Sequence, residues 1–211
     1  MNSPKRDVAA SAATNGSAAP VLAFDPNRKS NADLILDAAT LGYIGDRVLD
    51  ATYGKGNFWV KHKPVELVKN DIRTEGVDHR WDWLTETPQE FVDAFDTVVF
   101  DPPYKLCGTV QEADQMRWGL GFDSYRSVKG RIEDMELGLR NCAKAVRPGG
   151  FLLVKSQDQV ANHRVHWLSE SLSPQAMRKV DELYLVSTPR TQRTQKHSRR
   201  NYSTLAIFVR V

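Results

Sequence analysis

The chain has 211 residues, 41% of them hydrophobic, enough for one well-buried core and short for two domains of ~100–200 residues each. A formal net charge of only +3 excludes affinity for a polyanion by bulk charge and leaves the placement of the basic residues to decide it. No apolar run approaches the ~20 residues that span a bilayer and no signal-peptide stretch opens the chain, so a soluble cytoplasmic protein is expected, with Cys107 and Cys142 as free thiols because they fit neither a metal-ligand spacing nor a disulfide framework.

Residues 1–20 are mostly Ala, Ser, Asn, Gly and Pro, too little apolar area to offset the entropy of ordering, and a disordered tail is expected there. Residues 21–211 are expected to form a single catalytic domain. Leu34, Ile35, Ala38 and Leu41 recur at helical spacing until Gly42 and Gly45 end the run. A short apolar strand at 47–50 then enters the glycine turn Ala51-Thr52-Tyr53-Gly54-Lys55-Gly56, with a helix expected from Asn57. A strand follows near 65–69, then a loop with Asn70 and Asp71 and an acidic turn at Trp81-Asp82-Trp83.

The run 96–100 reads as a buried strand that stops at Asp101-Pro102-Pro103-Tyr104, where two prolines forbid continuation. A polar, aromatic-containing stretch occupies 105–129, a helix is expected at 132–146, and Pro148-Gly149-Gly150 leads into a strand at 151–154. Two further strands at 180–187 and 204–211 have no helix between them and are expected to be antiparallel. Strands alternating with helices imply a mostly parallel sheet covered on both faces.

In such a sheet, ligands bind beyond the carboxyl ends of the strands, and Asp50, Asp71, Asp82 and Asp101 each follow a predicted strand or its connecting loop. Gly54 and Gly56 allow close backbone approach, and a following helix N-terminus can receive a carboxylate. A cofactor carrying both a cation and a carboxylate suits the turn, although the same spacing also serves a plain strand-to-helix connection. The spacing departs from the G-x-G-x-x-G fingerprint of dinucleotide binders, which disfavours a nicotinamide dehydrogenase.

Val48 to Gly56 (VLDATYGKG) followed about 45 residues later by Asp101-Pro102-Pro103-Tyr104 resembles the class I methyltransferases that use S-adenosyl-L-methionine, and the tetrad is similar to that of amino-methyltransferases acting on adenine N6 or cytosine N4. The resemblance implies a Rossmann-like α/β fold with a mostly parallel seven-stranded sheet, an antiparallel C-terminal strand and helices on both faces. An exocyclic base amine is a poor nucleophile because its lone pair is delocalised into the ring. The resemblance implies that the Asp101 carboxylate and the Pro102 carbonyl accept its two N–H bonds, that Pro103 stiffens this backbone, and that Tyr104 stacks on a base swung out of its strand. It further implies a cofactor site with Tyr53, Gly54 and Gly56 in the turn, Asp50 at the methionyl end, Asp71 at the ribose hydroxyls and Asp82 at the adenine amine. No metal is needed. Asn70 is a rival to Asp71, Asp82 serves equally as the end of a turn, and Phe24, Asn27 and residues 29–31 resemble the segment that closes over the cofactor.

Residues 188–203 carry Arg190, Arg193, Lys196, His197, Arg199 and Arg200 and no acid, the expected nucleic-acid contact, supplying affinity and salt dependence without reading sequence. A second candidate interleaves Trp118, Phe122 and Tyr125 with Arg117, Arg126, Lys129 and Arg131, positions that serve equally as the core of a helix. Methylation of adenine N6 in DNA is the leading expectation. The alternatives are an RNA base amine, cytosine N4 of DNA, a non-catalytic nucleic-acid-binding module on the same fold, and a small-molecule or protein-glutamine substrate. A homodimer or a targeting partner is compatible with a single catalytic domain.

Overall fold

The structure is a computed structural model that describes residues 20–106, 127–187, 197–198 and 200–211; the expected N-terminal tail at 1–20 therefore lies, but for residue 20, outside the described residues. Helix α1 (Asn31–Thr40) starts where expected because Ser30 and Asp33 form a reciprocal capping box, and its buried positions Ala32, Leu34, Ile35 and Ala38 form one stripe. Strands β1 (Arg47–Asp50), β2 (Glu66–Lys69), β3 (Phe95–Phe100) and β4 (Val146–Ser156) follow, with helix α2 (Val128–Ala145) between β3 and β4. A small hairpin, β5 (Gln159–Ala161) and β6 (Arg164–His166), precedes the long strands β7 (Met177–Val186) and β8 (Tyr202–Arg210).

The main sheet has the order β2-β1-β3-β4-β8-β7. The first four are mutually parallel, β8 runs antiparallel to β4, and β7 antiparallel to β8. Side chains alternate across it with the period of a strand. Val98, Phe100, Leu152 and Phe208 join Met135 and Leu139 of α2 in one core layer. Val99, Leu153, Leu205 and Ile207 join Leu34, Ile35 and Ala38 of α1 in the other. Both faces are thus covered, as expected of a sheet whose central strands are apolar throughout.

Two expectations need correction, and one element is new. Among the described residues the main sheet has six strands where seven were expected. Beyond β2, where another strand would add, there is only an isolated bridge between Asn70 and His79; residues 71–80 (DIRTEGVDHR) are too polar and irregular to extend a ladder. No α-helix follows the glycine turn: Asn57–Val60 forms one 3-10 turn, and Pro64 together with the immediate entry into β2 at Glu66 leaves no room for more. The hairpin β5–β6 was not anticipated, because its turn residues Asn162 and His163 take positive φ (49° and 60°) without a glycine to mark them.

Order reverses at β1: β2 lies on one side and β3 on the other. The carboxyl ends of β1 and β3 therefore face the crevice in which open α/β sheets bind ligands. The pairings Ser156 with Thr204 and Val186 with Tyr202 bring the end of β7 and the start of β8 to this same edge.

Candidate active site

Asp50, the last residue of β1, is 1% exposed. One carboxylate oxygen accepts from Thr52 N at 3.0 Å and the other from Trp59 Nε1 at 2.7 Å. Burial pushes its pKa up to about 7 against those two bonds, and the charges on Asp101 and Asp71 add to the push. Asp71 and Asp101 thus lie close enough to Asp50 for their charges to reach it.

The turn itself is built for close approach. Gly54 and Gly56 have φ of 53° and 69°, where a side chain is strained. A Cβ on Gly56 would stand 2.5 Å from the Tyr53 hydroxyl, since the Tyr53 ring lies over that glycine. Gly54 N donates to Asp71 Oδ2 at 3.0 Å, while Asp71 Oδ1 accepts from Arg73 N and Thr74 N, both at 2.8 Å. Asp71 therefore joins its own loop to the glycine turn.

Its rival Asn70 is fully buried and committed elsewhere. Its amide donates to the carbonyls of Ala51 and Trp81, and its oxygen accepts from Trp81 N at 2.8 Å. It replaces with one side chain the ladder a further strand would have supplied. Asp82 caps a turn, Oδ1 accepting from Leu84 N at 3.0 Å, and Trp83 packs edge-on against Phe100.

The tetrad leaves the end of β3. Asp101 N donates to Thr52 Oγ1 at 2.8 Å, tying it directly to the glycine turn. Pro102 is buried, and Pro103 and Tyr104 are half-buried. Sequence reasoning missed Lys155 of β4, whose Nζ lies 3.4 Å from Asp101 Oδ1 and 3.0 Å from the Tyr104 hydroxyl. Only its place two residues beyond the core residue Leu153 of the same strand marked it, a buried position held by a charged residue.

Of the segment upstream, Arg28 is the structural member: buried, it pairs with Asp37 at 2.7 Å and donates to the carbonyls of Leu22, Ala23 and Tyr184. Phe24 is exposed, its ring 5.5 Å from that of Tyr184. Among the described residues no His, Cys, Asp and Glu group is suited to a metal ion, and no helix is long and apolar enough to cross a membrane. Cys142 is buried and unpaired, with burial pushing its thiol up; Cys107 lies outside the described residues.

On the nucleic-acid side, Arg190, Arg193, Lys196 and Arg199 lie outside the described residues, as do Arg117, Trp118, Phe122, Tyr125 and Arg126. Arg200 is described: its guanidinium stands 4.6 Å over the ring of Trp167, an aromatic side chain 46% exposed. Arg131, proposed from sequence for the second contact loop, is instead buried and donates to the Lys105 carbonyl at 2.8 Å. Lys129 is exposed and faces Glu133 one helical turn on, at 3.6 Å.

No protein-family model matches the chain, and no curated protein matches it. Among solved structures it is similar to the N-methyltransferase NodS from Bradyrhizobium japonicum, at 16% identity over 85% of this chain and 93% of that one, with a TM-score of 0.51. It is also similar to TrmN from Thermus thermophilus, at 14% identity and a TM-score of 0.51 over 85% of this chain, which spans about half of that protein (48%). At such identities the likeness is one of fold, and that fold is the Rossmann-like class I methyltransferase fold.

Proposed function

We infer that the chain is an S-adenosyl-L-methionine-dependent methyltransferase that acts on an exocyclic amine of a nucleic-acid base, adenine N6 in DNA foremost. The observation that carries this is the bond from Asp101 N to Thr52 Oγ1, which sets the tetrad beside the glycine turn at the point where the strand order reverses. The residues fit the cofactor. The charges on Asp101 and Asp71 oppose the ionisation of Asp50, and a ligand with a sulfonium and an ammonium relieves that conflict. Gly54 leaves its backbone open to a close-lying ligand, and the Tyr53 ring packs over Gly56 beside it.

When bound, S-adenosyl-L-methionine supplies an electrophilic methyl group. Asp50 holds the methionyl end, Asp71 the ribose and Asp82 the adenine. The Asp101 carboxylate and the Pro102 carbonyl accept the N–H bonds of the target amine, turning its lone pair out of conjugation, and Pro102 and Pro103 keep that backbone from relaxing away. Tyr104 stacks on the base, which a duplex yields only by flipping. The basic 188–203 segment, entering β8 at the same edge, and the Trp167–Arg200 pair meet the phosphates and flanking bases.

The test is transfer of labelled methyl from S-adenosyl-L-methionine to duplex DNA, single-stranded DNA and total RNA, with nucleoside mass spectrometry of the products. N6-methyladenine in DNA, lost with Asp101→Ala, is the expected result. Label in RNA alone, or on cytosine N4, moves the target and keeps the chemistry. Cofactor binding with no labelled nucleic acid overturns the assignment.

A further inference from the structure

Lys155 is a buried ammonium, its side chain 4% exposed, on a strand that is apolar at Leu152, Leu153 and Val154 before it. Taking an ammonium out of water costs several kcal/mol unless it is well paired. Its cross-strand partner on β8 is Leu205, so packing alone would be met by an apolar residue. What the ammonium has instead is the tetrad: Asp101 Oδ1 at 3.4 Å, the Tyr104 hydroxyl at 3.0 Å, and the Tyr104 ring centre at 5.0 Å. Asp101 keeps 24% of its side chain exposed, and among the described residues its Oδ2 takes no hydrogen bond.

We propose that Lys155 is the positioning residue of this site: it ties down Asp101 Oδ1 and the Tyr104 hydroxyl together, so that Asp101 Oδ2 is presented, ionised, to the target amine. The proposal rests on the base-amine assignment above and adds the group that keeps its acceptor competent. One cation serves two ends of the substrate contact, the carboxylate that receives the amine and the ring that stacks on the base. The charged and titratable groups facing Asp101 are Lys155 from β4, Tyr104 from its own turn, and the Asp50 carboxylate from β1. Burial pushes the Asp101 carboxyl up, and the Lys155 ammonium opposes that push. Burial works against the ammonium too, yet Asp101 and Tyr104 hold it above its ordinary value. Without Lys155, Asp101 would face burial and the negative charge on Asp50 with no cation to oppose them, and a proton on Oδ2 would turn the presented acceptor into a donor.

The experiment follows the Asp101 side-chain carboxyl by carbon NMR in 13C-aspartate-labelled full-length protein, assigned with Asp101→Asn, in wild type, Lys155→Met and Lys155→Arg. The same three proteins give pH–rate profiles for methyl transfer. An opposite charge this near moves a carboxyl by about one to three pH units, so Lys155→Met should raise the Asp101 midpoint and the acid limb of the rate by that amount. Transfer is then slowed on the acid side, by about tenfold or more where both midpoints lie above the assay pH, and recovers as pH rises through the raised midpoint, while Lys155→Arg keeps the wild-type midpoint. An unmoved Asp101 midpoint, with any rate loss equal at every pH, overturns the proposal. If the wild type methylates no base, the base-amine assignment fails by itself, and the Asp101 midpoint alone decides the pairing: raised in Lys155→Met it stands, unmoved it falls. Melting curves and S-adenosyl-L-methionine binding by the Arg variant check that the fold persists.

Discussion

Thr52 and Asp101, 49 residues apart in sequence, are joined by a 2.8 Å hydrogen bond from the Asp101 backbone N–H to the Thr52 hydroxyl. Thr52 N donates in turn to Asp50 Oδ1 at 3.0 Å. One threonine therefore spans the carboxylate proposed for the cofactor and the backbone of the tetrad proposed for the base, and it sets the separation of the two reactants. Thr52→Val preserves shape and leaves the Asp101 N–H without its acceptor, which costs about 1–3 kcal/mol for a buried donor. Since a displacement of about 1 Å at a reacting centre can cost up to ~100-fold, kcat should fall at least about tenfold while the Kd for S-adenosyl-L-methionine changes little. Equal loss in both would place Thr52 in cofactor binding instead.

Asp50 makes cofactor binding depend on pH. Its folded-state pKa, about 7, stands above the ordinary carboxylate value of 3.8, so the folded chain holds a proton that the unfolded chain has released. Stability of the ligand-free protein therefore declines as pH rises from the ordinary carboxylate range to about 7, because the folded state binds more protons there. A cationic ligand favours ionised Asp50, so affinity for S-adenosyl-L-methionine should rise between about pH 6 and pH 8, with proton release on binding at the lower end. Calorimetry in buffers of different ionisation enthalpy reads that release. Asp50→Asn should remove it and weaken binding; undiminished release in the variant would assign the proton to another group.

The sequence carries the glycine turn and the tetrad plainly because each ends a short apolar strand with residues no strand continues through. The two-sided core was equally legible: Val98 and Phe100 alternate with Val99, and Leu152 with Leu153. Less legible were features that depend on what lies across the sheet. Lys155 after Phe151-Leu152-Leu153-Val154 looks like a strand emerging into solvent until β8 and the tetrad close over it. Asn70 and Asp71 are adjacent and chemically similar, and only the fold shows that Asn70 is bound to the backbone of Trp81 while Asp71 joins its loop to the glycine turn. Nor does Arg131 differ in pattern from an exposed basic residue; its burial under residue 105 is purely tertiary.

Gly138 marks the closest approach of α2 to the sheet. An added Cβ would stand 2.2 Å from the Trp83 ring and 2.9 Å from that of Phe100. Alanine in a helix interior is ordinarily favoured over glycine by about 1 kcal/mol, but overpacking a tight core costs about 1–3 kcal/mol. Gly138→Ala should therefore destabilise the protein, and because Trp83 adjoins Asp82, it should also weaken cofactor binding. Chemical denaturation alongside cofactor titration measures both effects. A stabilised variant would mean that Trp83 moves aside freely and does not hold the Asp82 turn in place.

Arg200 and Trp167 form the pair proposed to meet nucleic acid at the active edge. The guanidinium lies over the indole at 4.6 Å, an arrangement that holds both planes ready for a base on the open face of the ring and a phosphate beside it. Among the described residues Arg200 Nε has no hydrogen-bond partner, so it is a donor that a phosphate oxygen can satisfy. Removing one phosphate-binding charge should lower the slope of log affinity against log salt by about one. Arg200→Ala should show that smaller slope in anisotropy titrations of single-stranded DNA between about 50 and 200 mM salt, with S-adenosyl-L-methionine binding unchanged. Trp167→Ala should weaken binding at every salt concentration and leave the slope nearly as it was, because stacking releases no counterions. An Arg200 variant with the wild-type slope would remove this pair from the interface and leave the rest of the 188–203 segment to carry it.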